Sequence, residues 1–168
     1  MKPENTLFRS AFKALALVAA LLFPLVGHSV NFDNASHLDF DVTTDGQELG
    51  CLAMNIYHEG RGEPIRGMAA IAAVTMNRVS SAQYPDTICK VVWQPKQFSW
   101  TKINARHHVI RDAEAWQQAL VIARLFMNGA TLSQIGDATH YHSVRVQPSW
   151  SEESALVARV GDHFFYAL

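Results

Sequence analysis

The chain has 168 residues, with 14 Lys+Arg against 15 Asp+Glu and a formal net charge of −1, which bounds it to one domain with appendages. Balanced charge without runs of one sign excludes the footprint of a nucleic-acid binder. No internal repeat or low-complexity tract is present, which excludes a solenoid or an array.

At the N-terminus, Lys2, Arg9 and Lys13 flank "ALALVAALLFPLV", followed by "GHS". A charged region, an apolar stretch too short to span a bilayer comfortably, and small residues at Gly27 and Ser29 predict a secretory signal peptide over residues 1–29. The mature chain is then exported and holds no stable membrane insertion. Residues 30–46 are polar and lack periodicity, as a linker would. The folded domain is expected over residues 47–168. In an oxidising compartment the two cysteines, Cys51 and Cys89, are expected to bridge rather than to sit as buried thiols.

Asp45 or Thr44 can cap a first helix whose apolar positions Leu49, Leu52, Ala53 and Ile56 fall on one face, with Gly60 and Gly62 ending it. Pro64 suits the first turn of a second helix, "PIRGMAAIAAVTMNRV", apolar nearly all round and therefore central. Asp86 is expected to cap a short third helix, and "QPKQFSWTKINARHH" reads as loop. Asp112 caps a fourth helix, "AEAWQQALVIARLFMN", which Gly129 ends. The last forty or so residues turn β-branched and aromatic, and "ATHYHSVRV" and "ALVARVGDHFFYAL" read as short strands. The expectation is an α+β domain, mainly α, with a small C-terminal β-element.

The stripe from Leu49 through Leu52 and Ile56 continues to Glu59, placing a carboxylate at the end of an apolar face and at the negative pole of a helix. Desolvation and the dipole both disfavour its charged form, so its pKa should rise, as a proton donor to a leaving oxygen requires. The bland alternative is a solvated glutamate at a frayed helix end. Glu63, beside Pro64, is placed to cap the second helix, and Arg61 to partner a carboxylate or a carbonyl.

His58, His140, His142 and His163 raise a zinc alternative with Glu59 and Glu63. "HEGRGE" lacks the second histidine four residues on that a zincin helix needs, so no metal ligand and no cofactor is assigned. Among the aromatic residues, Trp93 and Phe98 read as core. Tyr141 and Trp150, with Gln97, Ser99 and His142, are candidates for binding sugar rings and their hydroxyls.

Taken in order, "CLAMNIYHEGRGEP", "GMAAIAAVTMNRV", "YPDTICKVVWQPKQFSW", "ATHYHSVRVQPSW" and "VGDHFFY" resemble the cell wall hydrolase family named after the spore-cortex lytic enzyme SleB, with CwlJ as a relative. The resemblance covers roughly residues 49–166, and the paired cysteines look like its Gram-negative branch, implying a periplasmic or envelope location. It implies a lysozyme-like, lytic-transglycosylase-related fold acting on peptidoglycan glycan strands. Nothing in the sequence fixes an oligomeric state, and a monomer is the expectation. The first glutamate of the family's E-x-R-G-E core falls on Glu59, although Gly60 stands where many relatives carry alanine. The expected reaction is cleavage of the β-1,4 bond between N-acetylmuramic acid and N-acetylglucosamine with a single catalytic Glu59. A metal-dependent muramoyl-alanine amidase and a non-catalytic peptidoglycan-binding protein are the alternatives.

Overall fold

The computed structural model describes residues 44–102 and 109–168. The expected signal peptide and nearly all of the expected linker lie outside the described residues. Within them, four helices precede a small sheet: α1 (Thr44–Gly60), α2 (Ile65–Ser80), α3 (Ile88–Val92) and α4 (Ala113–Met127), then β1 (His140–Ser143), β2 (Ala155–Val160) and β3 (His163–Ala167). This is the mainly α, α+β arrangement expected.

Two helices share the centre. α1 buries Leu52, Ala53, Asn55, Ile56 and Tyr57 and packs against α2, α3 and α4. α2 buries Met68, Ile71 and Val74 beside Gly67, Ala70, Ala72 and Ala73, whose small side chains let α1 and α4 come close. A buried polar pair crosses this contact: Asn55 Nδ2 donates to Thr75 Oγ1 at 3.1 Å, and Thr75 donates on to the Ile71 carbonyl at 3.1 Å. Such a pair loses its desolvation cost only when both partners are present, so it favours one register of α1 on α2.

Helix ends differ from expectation by a residue, each for a local reason. Pro64 is the N-cap of α2 rather than a residue of its first turn, in extended conformation with ψ 157°. Thr87 rather than Asp86 caps α3, accepting from the Lys90 N–H, while Asp86 pairs with the Lys90 ammonium at 2.9 Å. Asp112 caps α4 as expected, accepting from the Ala115 N–H at 3.0 Å. The Tyr57 hydroxyl accepts from the Arg111 and Asp112 amides, which ties α1 to the start of α4. Trp93, expected in the core, is 40% exposed, whereas Trp100 and Phe98 are buried.

The Cys51–Cys89 disulfide joins α1 to α3, with the two Cα atoms 5.2 Å apart. A second link runs beside it, from the Cys89 N–H to Glu48 Oε2 at 3.1 Å.

The sheet is antiparallel in the order β1-β3-β2. Register sets Tyr141 opposite Phe165 and His142 opposite Phe164, so successive residues face opposite sides. Tyr141, His163 and Phe165 share one side and touch through their rings. His142, Phe164, Tyr166 and Trp150 gather on the other. The C-terminal end of α2 holds β1 in place: Asn77 donates to the carbonyls of Gly136 and Ala138, and Arg78 Nε to that of Thr139 at 2.7 Å.

Candidate active site

Glu59 projects from the last turn of α1 into an open cleft of about 620 Å³, lined also by Arg78, Gln97, Ser99, Tyr141, His142 and His163. Three parts of the chain meet there. α1 and α2 supply Glu59 and Arg78, the segment after α3 supplies Gln97 to Ser99, and β1 and β3 supply Tyr141 and His163.

Burial raises the pKa of the Glu59 carboxyl above its ordinary value, and two neighbours hold that rise in check: the Tyr141 hydroxyl as a hydrogen-bond donor and the Arg78 guanidinium through its charge. The Tyr141 hydroxyl is fully buried with no partner at close hydrogen-bond geometry, and the Glu59 carboxyl is the acceptor it faces. Burial drives the tyrosine's own pKa well up, so it stays a donor. Arg78 is only 4% exposed; its guanidinium lies 5.3 Å over the Tyr84 ring and 5.5 Å over Phe98. A cation held by two aromatic faces and one carbonyl is fixed in place, and near Glu59 its charge favours the carboxylate form.

Glu63 does not cap α2. Its Oε2 accepts from the Asp162 N–H at 3.0 Å, and its Oε1 lies 3.3 Å from His163 Nδ1, so it ties the α1–α2 junction to the turn between β2 and β3. The room for it comes from glycine: Gly161 has φ +57°, and a Cβ there would collide with the Glu63 carboxylate. Gly161→Ala is therefore expected to cost about 2 kcal/mol or more, combining left-handed backbone strain with that collision, and urea denaturation measures it. The Arg61 guanidinium lies 5.5 Å over the Tyr57 ring, with no ion pair to a carboxylate among the described residues.

Of the candidate sugar-binding residues, Gln97, Ser99, Tyr141 and His142 line the cleft with Glu59. Trp150 does not. It sits among His140, His142 and Tyr166 on the opposite side of the sheet. His142 is at the rim with both ring nitrogens engaged, one with the Ser143 carbonyl at 3.0 Å and one with the Tyr166 hydroxyl at 2.9 Å.

The other histidines also go to separate places: His58 stacks on Trp100 at 4.6 Å, His140 bonds to Thr139 Oγ1 at 3.0 Å, and His163 faces Glu63. Among the described residues no three His, Cys, Asp or Glu side chains converge as metal ligands would.

Arg78 and His163 are the ionisable cleft residues absent from the sequence-derived site, which also omitted Phe98, Ser143 and Val146. Arg78 reads as an ordinary cation in the last turn of a helix, and its burial depends on Thr139, 61 positions away. His163 had a signal, the "VGDHFFY" stretch, but figured there only as a potential zinc ligand.

Comparison with known proteins accords with this architecture. The sequence model of the cell wall hydrolase family matches residues 62–166. The chain is 30% identical over 123 residues to the spore cortex-lytic enzyme of Oceanobacillus iheyensis, covering 70% of this chain and 41% of that one. It is 30% identical over 119 residues to the spore cortex-lytic enzyme of Bacillus subtilis, covering 70% and 37%. The chain thus spans about two fifths of the length of these curated relatives. Among solved structures, the catalytic domain of the germination-specific lytic transglycosylase SleB from Bacillus anthracis superposes with a TM-score of 0.58 at 27% identity, covering 71% of this chain and 93% of that one. The catalytic domain of the Bacillus cereus SleB protein superposes with a TM-score of 0.57 at 27% identity, covering 71% and 89%.

Proposed function

The chain belongs to the cell wall hydrolase family, and we propose that it cleaves the β-1,4 bond between N-acetylmuramic acid and N-acetylglucosamine in peptidoglycan as a lytic transglycosylase, with Glu59 as acid and base. The observation that carries this reading is the electrostatics of the cleft. Glu59 is the only carboxylate among its described lining residues, and its proton is held more tightly than an ordinary glutamate's. Ordinary glycosidases place two carboxylates across the scissile bond. A lytic transglycosylase needs one, because the sugar's own 6-hydroxyl replaces water as the nucleophile.

In this reading the Glu59 carboxyl protonates the glycosidic oxygen as the C1–O bond breaks. The substrate's N-acetyl group shields the cationic C1. The Glu59 carboxylate, steadied by Tyr141 and Arg78, then takes the proton of the muramoyl 6-hydroxyl as that oxygen closes a 1,6-anhydro ring. Gln97 and Ser99, exposed on the segment after α3, are placed to hold glycan hydroxyls. The name of one similar structure, a germination-specific lytic transglycosylase, supports the reaction type.

Export is part of the proposal and rests on the N-terminal sequence and on the bridged cysteines. The curated relatives come from Bacillus and its allies and lend no support to a Gram-negative periplasm; the paired cysteines are what point there.

Mass spectrometry of products released from purified sacculi tests the reaction. Anhydro-muropeptides are expected. Reducing muropeptides would mean attack by water, and free peptides would mean amide cleavage.

A further inference from the structure

One buried acid–base pair at the cleft has no part in the acid–base cycle of Glu59. Glu63 and His163 have side chains only 11% and 12% exposed, with the Glu63 carboxylate 3.3 Å from His163 Nδ1. The second Glu63 oxygen is held by the Asp162 N–H at 3.0 Å. Two glycines make room for this one side chain. A Cβ on Gly67 would come within 2.9 Å of Glu63 Cβ and Oε2, and one on Gly161 would meet Oε2 head on. The imidazole packs edge-on against Tyr141 with ring centroids 5.5 Å apart, and it lines the same cleft as Glu59.

The facing carboxylate favours one tautomer of the ring. A carboxylate only accepts, so the proton is drawn to Nδ1 and the lone pair to Nε2. Nδ1 is buried 3.3 Å from the carboxylate, short of close hydrogen-bond geometry, and Nε2 makes no hydrogen bond to a described residue. Burial lowers the pKa of His163 below its ordinary value, with His142 acting in the same sense and Glu63 and Asp162 opposing it. That direction favours the neutral imidazole, which leaves a hydrogen-bond acceptor for whatever enters the cleft.

Lytic transglycosylation at Glu59 has a place for that acceptor, and the role assigned to His163 rests on that reading. When the substrate's acetamide oxygen bonds to C1, positive charge spreads onto the amide nitrogen and its N–H becomes strongly acidic. Enzymes that use this substrate-assisted route need a group to receive that hydrogen, and the cleft of this chain has no second carboxylate among its described lining residues to do so. We propose that His163 Nε2 accepts the N–H of the muramoyl acetamide, with Glu63 acting behind the ring as a positioning residue.

The step balances. The acetamide oxygen–C1 bond forms as C1–O4 breaks, the Glu59 proton goes to O4, and the amide N–H proton shifts toward His163 Nε2. Ring closure reverses it: O6 bonds to C1, the acetamide oxygen leaves, the 6-hydroxyl proton goes to Glu59, and the N–H is restored. Glu63 opposes the charge that His163 gains, as the third member of a catalytic triad does for its histidine.

The test uses the full chain and two variants. Glu63→Gln keeps the side chain's shape and its acceptance from Asp162, but offers an N–H to Nδ1. That forces the opposite tautomer and puts an N–H where the lone pair was. His163→Phe keeps a ring against Tyr141 without a nitrogen. Both are expected to lower kcat on sacculi roughly 10–100-fold with KM changed less than about twofold, since the bond strengthens as charge develops. A thiazoline-fused N-acetylhexosamine, which mimics the cyclised acetamide, is expected to bind both variants about tenfold or more weakly, and a linear N-acetylglucosamine tetramer to change far less. Equal thiazoline affinity in all three proteins would overturn the proposal. So would a wild-type kcat in Glu63→Gln, since reversing the tautomer would then leave turnover untouched. A wild-type protein that releases no anhydro-muropeptide defeats the underlying reaction instead, a result distinct from an active wild type whose variants lose nothing.

Discussion

Glu59→Gln is expected to lower turnover on purified sacculi by about 10³-fold, within the range of roughly 10²–10⁴ that a positioned general acid contributes, while the protein stays folded and still binds glycan strands. Glutamine matches glutamate in size and can accept from the Tyr141 hydroxyl, but it has no proton to give to the glycosidic oxygen. Full activity in this variant would refute the assignment. The pH profile of the wild type carries the same argument: because burial raises the Glu59 pKa, the active protonated form persists above the ordinary carboxylate range and is lost as pH rises through the raised value. The alkaline limb is therefore expected to shift or vanish in Glu59→Gln.

Stability follows with a definite sign. A carboxyl whose folded pKa lies above its unfolded value contributes stability that is fully present below the unfolded pKa and is lost as pH rises through the folded one. Glu59→Gln removes that dependence. The variant should gain on the wild type in thermal stability as pH is raised from the ordinary glutamate range through the elevated one, and a series of melting curves shows it.

The legible parts of this site are those whose cause is local. Glu59 could be read because helical periodicity carries the apolar stripe of Leu52 and Ile56 to a carboxylate one turn later, and α1 has that face buried. Asp112 could be read because a cap and its amide are three residues apart. Glu63 shows where local reasoning stops. Next to a helix start the capping rule offers it a partner nearby, yet the partner it takes is the amide of Asp162, 99 positions away. The Asp162 N–H is exposed by a turn that only Gly161 permits, and nothing in the neighbourhood of Glu63 announces that turn. Trp150 fails for a related reason. Its residue type suits sugar stacking, but it sits on a short 3-10 turn before β2 (Ser149–Glu152), and packing against His140, His142 and Tyr166 takes its ring out of the lining of the Glu59 cleft.

These long-range ties explain how a glutamate at a helix end becomes a positioned acid. The last turn of α1 is closed by the Arg61 N–H on the Tyr57 carbonyl at 3.1 Å. The sheet adds ties from outside: Arg78 anchors the approach to β1 through Thr139, Glu63 anchors the β2–β3 turn, and Tyr141 and His163 line the cleft with Glu59.

The disulfide tests how much of that positioning depends on the other end of α1. Replacing Cys51 and Cys89 together by serine opens a loop with a sequence separation of 38, for which chain entropy gives about 3–4 kcal/mol of lost stability. For a domain of this size that corresponds to a fall in Tm of roughly 10–20 °C. Activity measured well below the new Tm should be nearly unchanged. Glu59 lies two turns beyond Cys51 on the same helix, and that helix is still held by the buried faces of α2 and α4 and by the hydrogen bond from the Cys89 position to Glu48. Reducing the wild type with dithiothreitol should give the same lowered Tm. If reduction abolished turnover at a temperature where circular dichroism still reports the full helical signal, the bridge would be setting the geometry of Glu59 as well as stabilising the fold. A loss of activity that tracks unfolding would confine it to the second role.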